Sequence, residues 1–502
     1  MDSFDHDQLD RFRSVIGSRL GLQFDDGRMD LMADALRQRL DANGQMSCER
    51  YLSALSAGWR EEMRQLASLL TVTETYFFRV PEHFRVLAEV ALPEKRRALN
   101  ADRPLRILSA GCASGDEPYS AAITVRERFP ELTKVVIVGI DLSPAMLAKA
   151  AEARFGPWSL REMPAGLGER YFRRDGRQFI LDPNIRRMVT FEERNLGVEN
   201  GTPWNLELFD IVFCRNTIMY MLPEAARLTI ARLTRTLVPG GLLFLSHAET
   251  LRGLSQDFHL CHTHGTFYYR RREGEAQQLA PQESQLAYCP NTEADLSWMD
   301  SVRLASEQIQ NLSRNPGGGA VAPPASIAPA GHQRAPLRLG LALDLLRQER
   351  FREALEAVGN LPAEFAKDPD VLLLRAVLLT NCGESEAAEA VCRQLLAADD
   401  LNASAQYLAA LCREHAGDFE GATERDRAAI YLDPAFAMPH LHLGLLAKRS
   451  RDWTAVRKEM DEAARLLERE DASRILLLGG GFSRQALLEF SRAELQACGA
   501  KS

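Results

Sequence analysis

The strongest constraint on the fold of this chain is a repeat of 34 residues in its C-terminal third. Gly383 and Gly417 are one period apart and the next period reaches Arg451, so that these residues align as turns. Small residues keep the same spacing in two further series. The first series is Ala342, Ala376, Ala410 and Gly444, and the second is Ala354, Ala388, Ala422 and, less faithfully, Val456. Small side chains at both positions let two helices pack closely, which predicts a stack of helix pairs.

A helix-turn-helix unit of this length is typical of the tetratricopeptide repeat (TPR), whose stacks form a concave groove that binds a peptide or a partner helix. We place the repeats at 337–470 and a helical tail at 471–502. The alternative, an unrelated helical bundle, leaves the matched series unexplained. Segment 273–336 ends in a run rich in Pro, Gly and Ala that cannot offset its ordering entropy, and is expected to be a flexible linker.

The first half of the chain shows two different patterns. Residues 1–90 have helical apolar spacing, which predicts a bundle of short helices. From 93 to 272, short apolar runs that end in Gly, Asp or Asn alternate with stretches of helical character. Such runs are typical of a mainly parallel sheet with covered faces, so we predict an open α/β domain. Segment 157–188 combines turn formers with short β-branched and aromatic pieces and is expected to be a small β insert.

The overall composition excludes several classes of protein. The 69 acidic and 61 basic residues give a net charge of -8, which disfavours a nucleic-acid partner. The acidic N-terminus does not resemble a signal peptide, and no apolar run is long enough to cross a membrane. The 9 cysteines include no C-x-x-C pair and no metal site is suggested. We therefore expect a reduced, cytoplasmic protein without membrane insertion.

A glycine-containing loop follows the first apolar run and is expected to lie at the edge where open α/β sheets bind ligands. Its glycines, Gly111 and Gly115, match neither a Walker A loop nor a G-x-G-x-x-G loop. The acidic pair Asp116-Glu117 would repel a pyrophosphate. The same pair would attract an ammonium or sulfonium by about 4 kcal/mol at about 4 Å if the effective dielectric constant is near 20. A cationic nucleoside is therefore favoured over a dinucleotide.

Polar residues also end three of the later runs. Asp141 closes the second, from where a carboxylate can accept both hydroxyls of a ribose; the alternative is an N-cap for the next helix. Asn195-Leu196 and Arg215-Asn216 end two more runs, and their alternative interpretation is ordinary loop polarity.

Five motifs, taken in order and spacing, resemble those of the CheR-type chemoreceptor glutamate methyltransferases. They are LTVTETYFFR (70–79), RILSAGCASGDEPYS (106–120), VGIDLSPAML (138–147), EERNL (192–196) and FDIVFCRNTIMYM (209–221). The resemblance covers about residues 4–272, and the repeat extension is similar to longer variants of the WspC and FrzF type. It implies a helical N-terminal domain, a class I methyltransferase sheet with a small β insert, and then all-α TPR repeats.

The resemblance also implies a set of site residues. S-adenosyl-L-methionine is expected to bind at the TETYFFR, GDEPYS, GID, RNL and CRN segments, and two side chains are expected beside the transferred methyl group. The cofactor-binding residues implied are Thr73, Thr75, Arg79, Glu117, Asp141, Asn195, Leu196, Arg215 and Asn216, and the catalytic residues are Arg79 and Tyr220.

The activity implied is transfer of a methyl group to glutamates of methyl-accepting chemotaxis proteins. A carboxylate acceptor is already ionised at neutral pH, so alignment rather than proton removal is expected to supply most of the rate. The partners expected are the cytoplasmic domain of these receptors, with recruitment to receptor arrays, and a protein or peptide in the TPR groove. The alternatives are an inactive TPR scaffold and a methyltransferase for nucleic acids or small molecules.

Overall fold

The computed structural model describes residues 4–44, 46–98, 103–132, 134–198, 208–273 and 335–499, so nearly all of the predicted linker at 273–336 lies outside the described residues. The chain divides into two compact units, Met1–Ala276 and Gln277–Ser502. No helix in the described ranges is both long and apolar enough to cross a membrane.

The first unit begins with four packed helices, as the apolar spacing of residues 1–90 predicts. Asp5 starts the first helix with a capping box, in which Asp5 and Gln8 exchange hydrogen bonds, and Gly21 ends it with a φ of 77°. Buried Phe12, Ile16 and Leu66 belong to the shared core. The helices are α1 (His6–Leu20), α2 (Met29–Ala42), α3 (Cys48–Ser56) and α4 (Arg60–Leu70).

A sheet of 7 strands forms the centre of the first unit, in the order β6-β2-β1-β7-β8-β10-β9. β1, β2, β6, β7 and β8 pair in parallel, and β10 pairs antiparallel to both of its neighbours. The strands are β1 (Leu105–Ala110), β2 (Val135–Asp141), β6 (Val189–Glu193), β7 (Phe209–Phe213), β8 (Leu237–Phe244), β9 (Phe258–Thr263) and β10 (Thr266–Arg271). The predicted α/β fold is confirmed.

Seven helices and a second, smaller sheet complete this unit. The smaller sheet, in the order β3-β5-β4, is the expected β insert. Its strands are β3 (Arg154–Phe155), β4 (Phe172–Asp175) and β5 (Gln178–Leu181). The helices are α5 (Pro81–Val86), α6 (Leu92–Ala98), α7 (Asp116–Arg128), α8 (Pro144–Glu152), α9 (Leu167–Tyr171), α10 (Pro183–Arg186) and α11 (Pro223–Thr236). A π-helical turn, Leu87–Ala91, connects α5 to α6.

The second unit is entirely helical where it is described. Four antiparallel helix pairs are followed by two more helices, in agreement with the predicted TPR fold. The helices are α12 (Ala335–Arg347), α13 (Phe351–Gly359), α14 (Pro369–Asn381), α15 (Ser385–Ala398), α16 (Ala403–His415), α17 (Phe419–Leu432), α18 (Ala437–Arg449), α19 (Trp453–Leu467), α20 (Ala472–Leu478) and α21 (Arg484–Gly499).

The spacing of the repeat has a structural cause in both the packing and the turns. The six alanines of the two small-residue series are fully buried, and a Cβ added at Gly444 would lie 2.7 Å from Met460 Cε. The turn residues Gly383 and Gly417 have φ values of 77° and 83°, and Glu349 and Arg451, one period away on either side, have 58° and 60°. Every pair thus turns through the left-handed region, with glycine at two of the four turns.

Candidate active site

A cleft of about 720 Å³ lies at the carboxyl ends of the central strands, beside the neighbouring strands β1 and β7. The strand order reverses between these two strands, and open α/β sheets bind ligands at that point. The lining side chains come from the N-terminal helices, the β1 and β2 ends, and the loops after β6 and β7. They include Gln23, Phe24, Arg28, Thr73, Gly111, Ala113, Asp141, Met146, Arg194, Asn195, Leu196, Asn216, Thr217 and Tyr220.

The loop between β1 and α7 folds tightly because three of its residues take left-handed backbone. Gly111, Ala113 and Gly115 have φ values of 80°, 44° and 86°. At Gly111 an added Cβ would lie 2.2 Å from Thr217 Oγ1, so a larger residue would push the β7 loop away. The glycines therefore bring the two loops together at the cleft.

Asp141 is held in a fixed orientation at the end of β2. Its Oδ2 accepts a hydrogen bond from the Ala113 amide at 2.8 Å, and its Oδ1 accepts one from the Ser143 amide at 2.8 Å. The N-cap of α8 is Ser143, so the alternative that Asp141 caps this helix does not apply. Burial raises the pKa of the Asp141 carboxyl, and the amides offset part of this effect. Additional positive charge or hydrogen-bond donors beside Asp141 would stabilise its ionised form.

Glu117 and Arg215 form a second, more deeply packed part of the site. Glu117 accepts hydrogen bonds from Ser109 Oγ at 2.7 Å and from an Arg215 guanidinium N–H at 3.1 Å. Arg215 also donates to the carbonyl of Arg79. Burial raises the pKa of Glu117, an effect that Arg215 partly offsets. These residues form a continuous polar network, but they are not among the side chains that line the cleft.

Two buried polar atoms in this network have no hydrogen-bond partner within the described residues: Asp116 Oδ1 and Arg215 Nε. Burial also raises the pKa of Asp116 to about 6, although Ser114 Oγ donates to its other oxygen at 2.6 Å. An unpaired buried acceptor and an unpaired buried donor are unfavourable unless a ligand satisfies them. Together with the raised pKa values of Glu117 and Asp141, they favour a ligand that carries both positive charge and a carboxylate.

The loop after β7 is organised by Glu249, a buried residue in the segment after β8. Its two carboxylate oxygens accept from the backbone amides of Asn216, Thr217, Ile218 and Met219, at 2.7–3.3 Å. Ser246 donates to the same carboxylate through its amide and its hydroxyl, at 3.0 and 2.7 Å. Glu249 thereby fixes the left-handed Asn216, φ 54°, and the short 3₁₀ helix that ends at Tyr220.

The N-terminal helices supply one wall of the cleft. The Gln23 amide donates to the Tyr220 carbonyl at 2.9 Å, and the Leu222 amide donates to the Gly21 carbonyl at 2.9 Å. The Arg28 guanidinium carbon lies 5.8 Å from the centre of the Tyr220 ring. A positive charge therefore lies beside Tyr220 at the cleft.

Asn195 and Leu196 follow β6 and lie on the other side of the cleft. The Asn195 side chain donates to the Leu20 carbonyl at 3.3 Å and accepts from the Gly197 amide at 2.9 Å. The Asn195 side chain thus connects α1 to this loop, while Leu196 contributes an apolar surface to the cleft.

Six of the ten residues named from the sequence line the cleft: Thr73, Asp141, Asn195, Leu196, Asn216 and Tyr220. The other four, Thr75, Arg79, Glu117 and Arg215, do not line it. Arg79 has its guanidinium over Tyr76, 5.6 Å from the ring centre, and donates to the Glu74 carbonyl at 3.1 Å. Arg79 is therefore connected to the site through its carbonyl, which accepts the hydrogen bond from Arg215. Its guanidinium lies over Tyr76 and not at Tyr220.

Sequence reasoning missed Arg28, Gln23, Thr217 and Glu249. The first two lie far from the motifs in sequence, and no local signal connects them to the sheet. Thr217 is inside the FDIVFCRNTIMYM segment, and Glu249 ends the LLFLSHAE run. A carboxylate directly after a buried strand was therefore an available signal for Glu249.

Comparison with known proteins agrees with this geometry. The family profile described as "CheR methyltransferase, SAM binding domain" matches residues 73–267. "Chemotaxis protein methyltransferase 2" of Vibrio cholerae is 31% identical over 276 residues, which cover 53% of this chain and 94% of that protein. The chain belongs to the CheR methyltransferase family.

One relative of this CheR methyltransferase extends over the second unit as well. "Probable biofilm formation methyltransferase WspC" of Pseudomonas putida is 29% identical over 457 residues, 91% of this chain and 97% of that protein. Among solved structures, "Crystal structure of MamA protein" covers 33% of this chain and 91% of its own, at 15% identity and a TM-score of 0.23.

The cofactor of this CheR methyltransferase is S-adenosyl-L-methionine. The polar groups of the site fit its chemistry. The buried acids Glu117 and Asp116 can compensate an ammonium, and the unpaired Arg215 Nε can donate to a carboxylate. Asp141 can accept from ribose hydroxyls, and Leu196 and Met146 offer apolar contacts to a purine. No group of acidic, histidine or cysteine side chains suited to a metal ion occurs within the described ranges.

Proposed function

We propose that this methyltransferase esterifies glutamate side chains of methyl-accepting chemotaxis receptors. The observation that carries the proposal is the chemistry of the cleft lining. Its ionisable side chains are one carboxylate, Asp141, two guanidinium groups, Arg28 and Arg194, and one phenol, Tyr220. The described lining holds no His, Cys or Lys, and both oxygens of Asp141 already accept backbone hydrogen bonds.

A lining of this kind favours an acceptor that needs no deprotonation. A hydroxyl or ammonium acceptor would first have to lose a proton to a general base. A glutamate is already ionised at neutral pH and can attack directly. The guanidinium of Arg28 beside Tyr220 would attract such a carboxylate. The names of the relatives, which include chemotaxis methyltransferases, support the receptor as the source of that glutamate.

The mechanism assigns simple tasks to the residues of the chain. When bound, S-adenosyl-L-methionine would supply a methyl group on positively charged sulfur, and the sulfur would keep the electron pair of the broken bond and leave as a neutral thioether. Asp141 and Glu117 would hold the ribose and ammonium groups, and the Tyr220 hydroxyl would donate to the acceptor carboxylate and orient it. Glu249 keeps Tyr220 in place through the loop backbone. Orientation of two bound reactants supplies the main rate advantage.

The test is a methyl-transfer assay with isotope-labelled cofactor and a purified cytoplasmic receptor domain. We expect label in the receptor as a base-labile ester, and no label in a receptor whose acceptor glutamates are replaced by alanine. Label in nucleic acid, or a base-stable product, would contradict the proposal. Failure to methylate any receptor would favour the inactive-scaffold alternative.

Arg79 and Tyr220 can be tested in the same assay. Tyr220→Phe should lower kcat and leave cofactor affinity nearly unchanged, because only a hydroxyl is lost. Arg79→Ala should also lower kcat more than affinity if the side chain orients the reactants, and Arg79→Lys should restore little if a bidentate fork is needed. Unchanged turnover in the Arg79 variants would remove it from the catalytic residues.

We further propose that the second unit binds a protein or peptide, and that the whole enzyme acts in the cytoplasm at receptor arrays. An apolar cavity of about 1050 Å³ in this unit supports the proposal. It is lined by Tyr407, Leu411, Met438, Leu445 and Leu487, together with Phe482, which is 62% exposed. Phe482→Ala in the full chain should weaken capture of the receptor array if the cavity docks there, and leave it unchanged if the cavity binds another partner.

A further inference from the structure

A partly exposed stack of aromatic rings and guanidinium groups lies on the first unit, and the mechanism above makes no use of most of it. Arg161 has its guanidinium carbon 3.9 Å from the centre of the Trp158 ring and 3.4 Å from the centre of the Tyr76 ring. Arg79 also lies over Tyr76, at 5.6 Å. Trp158 is 65% exposed, the most exposed large hydrophobic side chain of the described part of this unit. We call these four residues the Tyr76 stack.

The stack leaves the hydrogen-bonding edge of Arg161 available. A guanidinium packed between two rings uses its faces, and its N–H groups point outward in its own plane. One N–H donates to the Trp158 carbonyl at 2.8 Å. The other terminal nitrogen lies 3.6 Å from Glu74 Oε1, beyond hydrogen-bond distance, and Glu74 is itself 61% exposed. Arg161, whose side chain is 22% exposed, therefore presents only part of its fork to solvent, beside Glu74.

The Tyr76 stack is joined to the mouth of the cleft. The Phe77 amide donates to the Ser159 carbonyl at 2.9 Å, which fixes the short helix Pro157–Leu160 against the segment of Tyr76. That same segment begins at Val72 and Thr73, which line the cleft. Two apolar side chains at this mouth are exposed: Val72, which is part of the lining, at 46%, and Met219, adjacent to Tyr220, at 48%.

We propose that the Tyr76 stack, with Val72 and Met219, is a docking face for the receptor segment that carries the methylated glutamate. The inference rests on the function proposed above. The face recognises a second carboxylate in that segment through the Arg161 guanidinium, and apolar side chains of the segment through Trp158, Val72 and Met219.

Charge and chemistry both favour this occupant. Arg79 and Arg161 place two positive charges on the face, while the Glu74 carboxylate lies at its edge and the buried Asp116 also interacts electrostatically with Arg161. A planar fork suits a carboxylate, which can accept two parallel hydrogen bonds. Aromatic and arginine side chains are also the groups that contribute most at protein interfaces. The chain's net charge of -8 makes a nucleic acid a poorer partner for the same groups.

The test compares Trp158→Ala and Arg161→Gln with the parent, in the full chain. The matched controls are Leu228→Ala and Arg227→Gln, both on α11 and both partly exposed in the parent, Leu228 at 37% and Arg227 at 59%. We expect each stack variant to raise KM for the receptor and its Kd about tenfold, as loss of a central interface contact does. Their kcat at saturating receptor and their cofactor affinity should stay within about twofold of the parent, as should every constant of the controls.

A second arm identifies the carboxylate. Acidic residues near the methylated glutamate of the receptor are replaced by Gln one at a time. Arg161→Gln should not change the Kd of the receptor variant that lacks the carboxylate bound by Arg161. It should raise the Kd of the other receptor variants about tenfold. Arg161→Lys should recover only part of the affinity, because the fork is lost.

The outcomes separate the two proposals. If the parent methylates the receptor and the stack variants bind it with unchanged Kd, the docking face is wrong and the methyltransferase function stands. If the parent does not methylate receptors, the proposed function itself fails, and the docking face with it. Stack variants that weaken nucleic-acid binding but not receptor binding would assign the face to nucleic acid and overturn the inference.

Discussion

Both units use left-handed backbone, but they distribute it differently. In the methyltransferase unit it occurs at irregular intervals along the chain, and four of these residues, Gly111, Ala113, Gly115 and Asn216, lie in the loops around the cleft. In the repeats of the TPR unit it occurs once per helix pair, from Glu349 to Arg451. The same conformation therefore shapes a unique binding site in one unit and a regular stack in the other. A single site must be held by specific partners such as Glu249, whereas the repeated turn is supported by the helices on either side.

The two units also differ in the partners of their buried acidic side chains. Around the cleft, burial raises the pKa values of Asp116, Glu117 and Asp141, and Arg215 is the nearby cation that contacts one of them. In the TPR unit, buried Asp426 lies 2.7 Å from His442, which also lies 3.0 Å from Glu414. Asp426 thus has a histidine and Glu117 an arginine as its partner, whereas Asp116 Oδ1 has no hydrogen-bond partner within the described residues.

The largest effect should come from breaking the support of the cleft loop. Glu249→Gln replaces one acceptor oxygen by an NH₂ group that faces backbone N–H groups, and at least two donors lose their acceptor. The expected loss is on the order of 4 kcal/mol of unfolding free energy. Urea denaturation measures it, with hydrogen exchange to locate the change. Protection in 335–499 should be unaltered, and a uniform loss over both units would contradict a local role.

The pH dependence of the unfolding free energy should differ between variants of Asp116, in the first unit, and of Asp426, in the repeats. Burial raises the pKa of Asp116 from 3.8 to about 6, so its contribution to stability is complete below pH 3.8 and is lost as the pH rises through about 6. Asp116→Asn does not titrate. The unfolding free energy of the variant minus that of the parent should therefore increase by up to about 3 kcal/mol between pH 4 and pH 8.

Asp426→Asn is the comparison in the other unit. Burial raises the pKa of Asp426 to about 6, but here the carboxylate also contacts His442. The variant should be destabilised at pH 6, because His442 loses its closest carboxylate partner. A stability difference from the parent that increases with pH by as much as that of Asp116→Asn would remove the proposed difference between the units.

Cofactor affinity should depend on Asp141 and Glu117, and not on the buried acid of the repeats. Asp141→Ala and Glu117→Ala each remove a charge-assisted contact worth about 1.5–3 kcal/mol, or roughly ten- to a hundredfold in Kd. Calorimetric titration with S-adenosyl-L-methionine measures the change, with Asp426→Asn as the control. Parent-like affinity in both variants would show that the cofactor lies elsewhere.

The smallest effects concern the repeated turns. Arg451→Gly and Glu349→Gly relieve left-handed backbone at φ values of 60° and 58°, and each should stabilise by about 0.5–1 kcal/mol. Gly383→Ala and Gly417→Ala should destabilise by a similar amount. Thermal denaturation of the four variants checks the signs. If all four substitutions changed the stability equally, the left-handed backbone of the turn would not be the property that the repeat maintains.

Much of this architecture follows from local pattern. The parallel strands were predicted because buried runs such as VVIVGID cannot be mistaken for amphipathic helices, and the TPR pairs because their small residues recur at a fixed spacing. The β9–β10 hairpin around Gly265 was missed, since its strands mix His, Thr and Arg with aromatic residues. Arg28 was missed for another reason: Tyr220 lies about 190 residues away, and only the folded chain brings the two together. Glu249 ends a predicted run, but the amides that it binds lie about 30 residues away, so its role was not evident from that run.

The hydrogen bonds between residues 21–23 and 220–222 are made entirely by the main chain. The pairing itself uses no side-chain atom, but position 21 requires glycine, because its φ is 77° and an added Cβ would lie 3.0 Å from Ala225 Cβ. The N-terminal helices can therefore be exchanged for those of another member of the family while the wall beside Tyr220 is rebuilt by the same backbone atoms. A chimaera joined after α4 should keep its cofactor affinity and take its acceptor preference from the donor of the helices. This makes the segment a natural point at which to engineer new specificity.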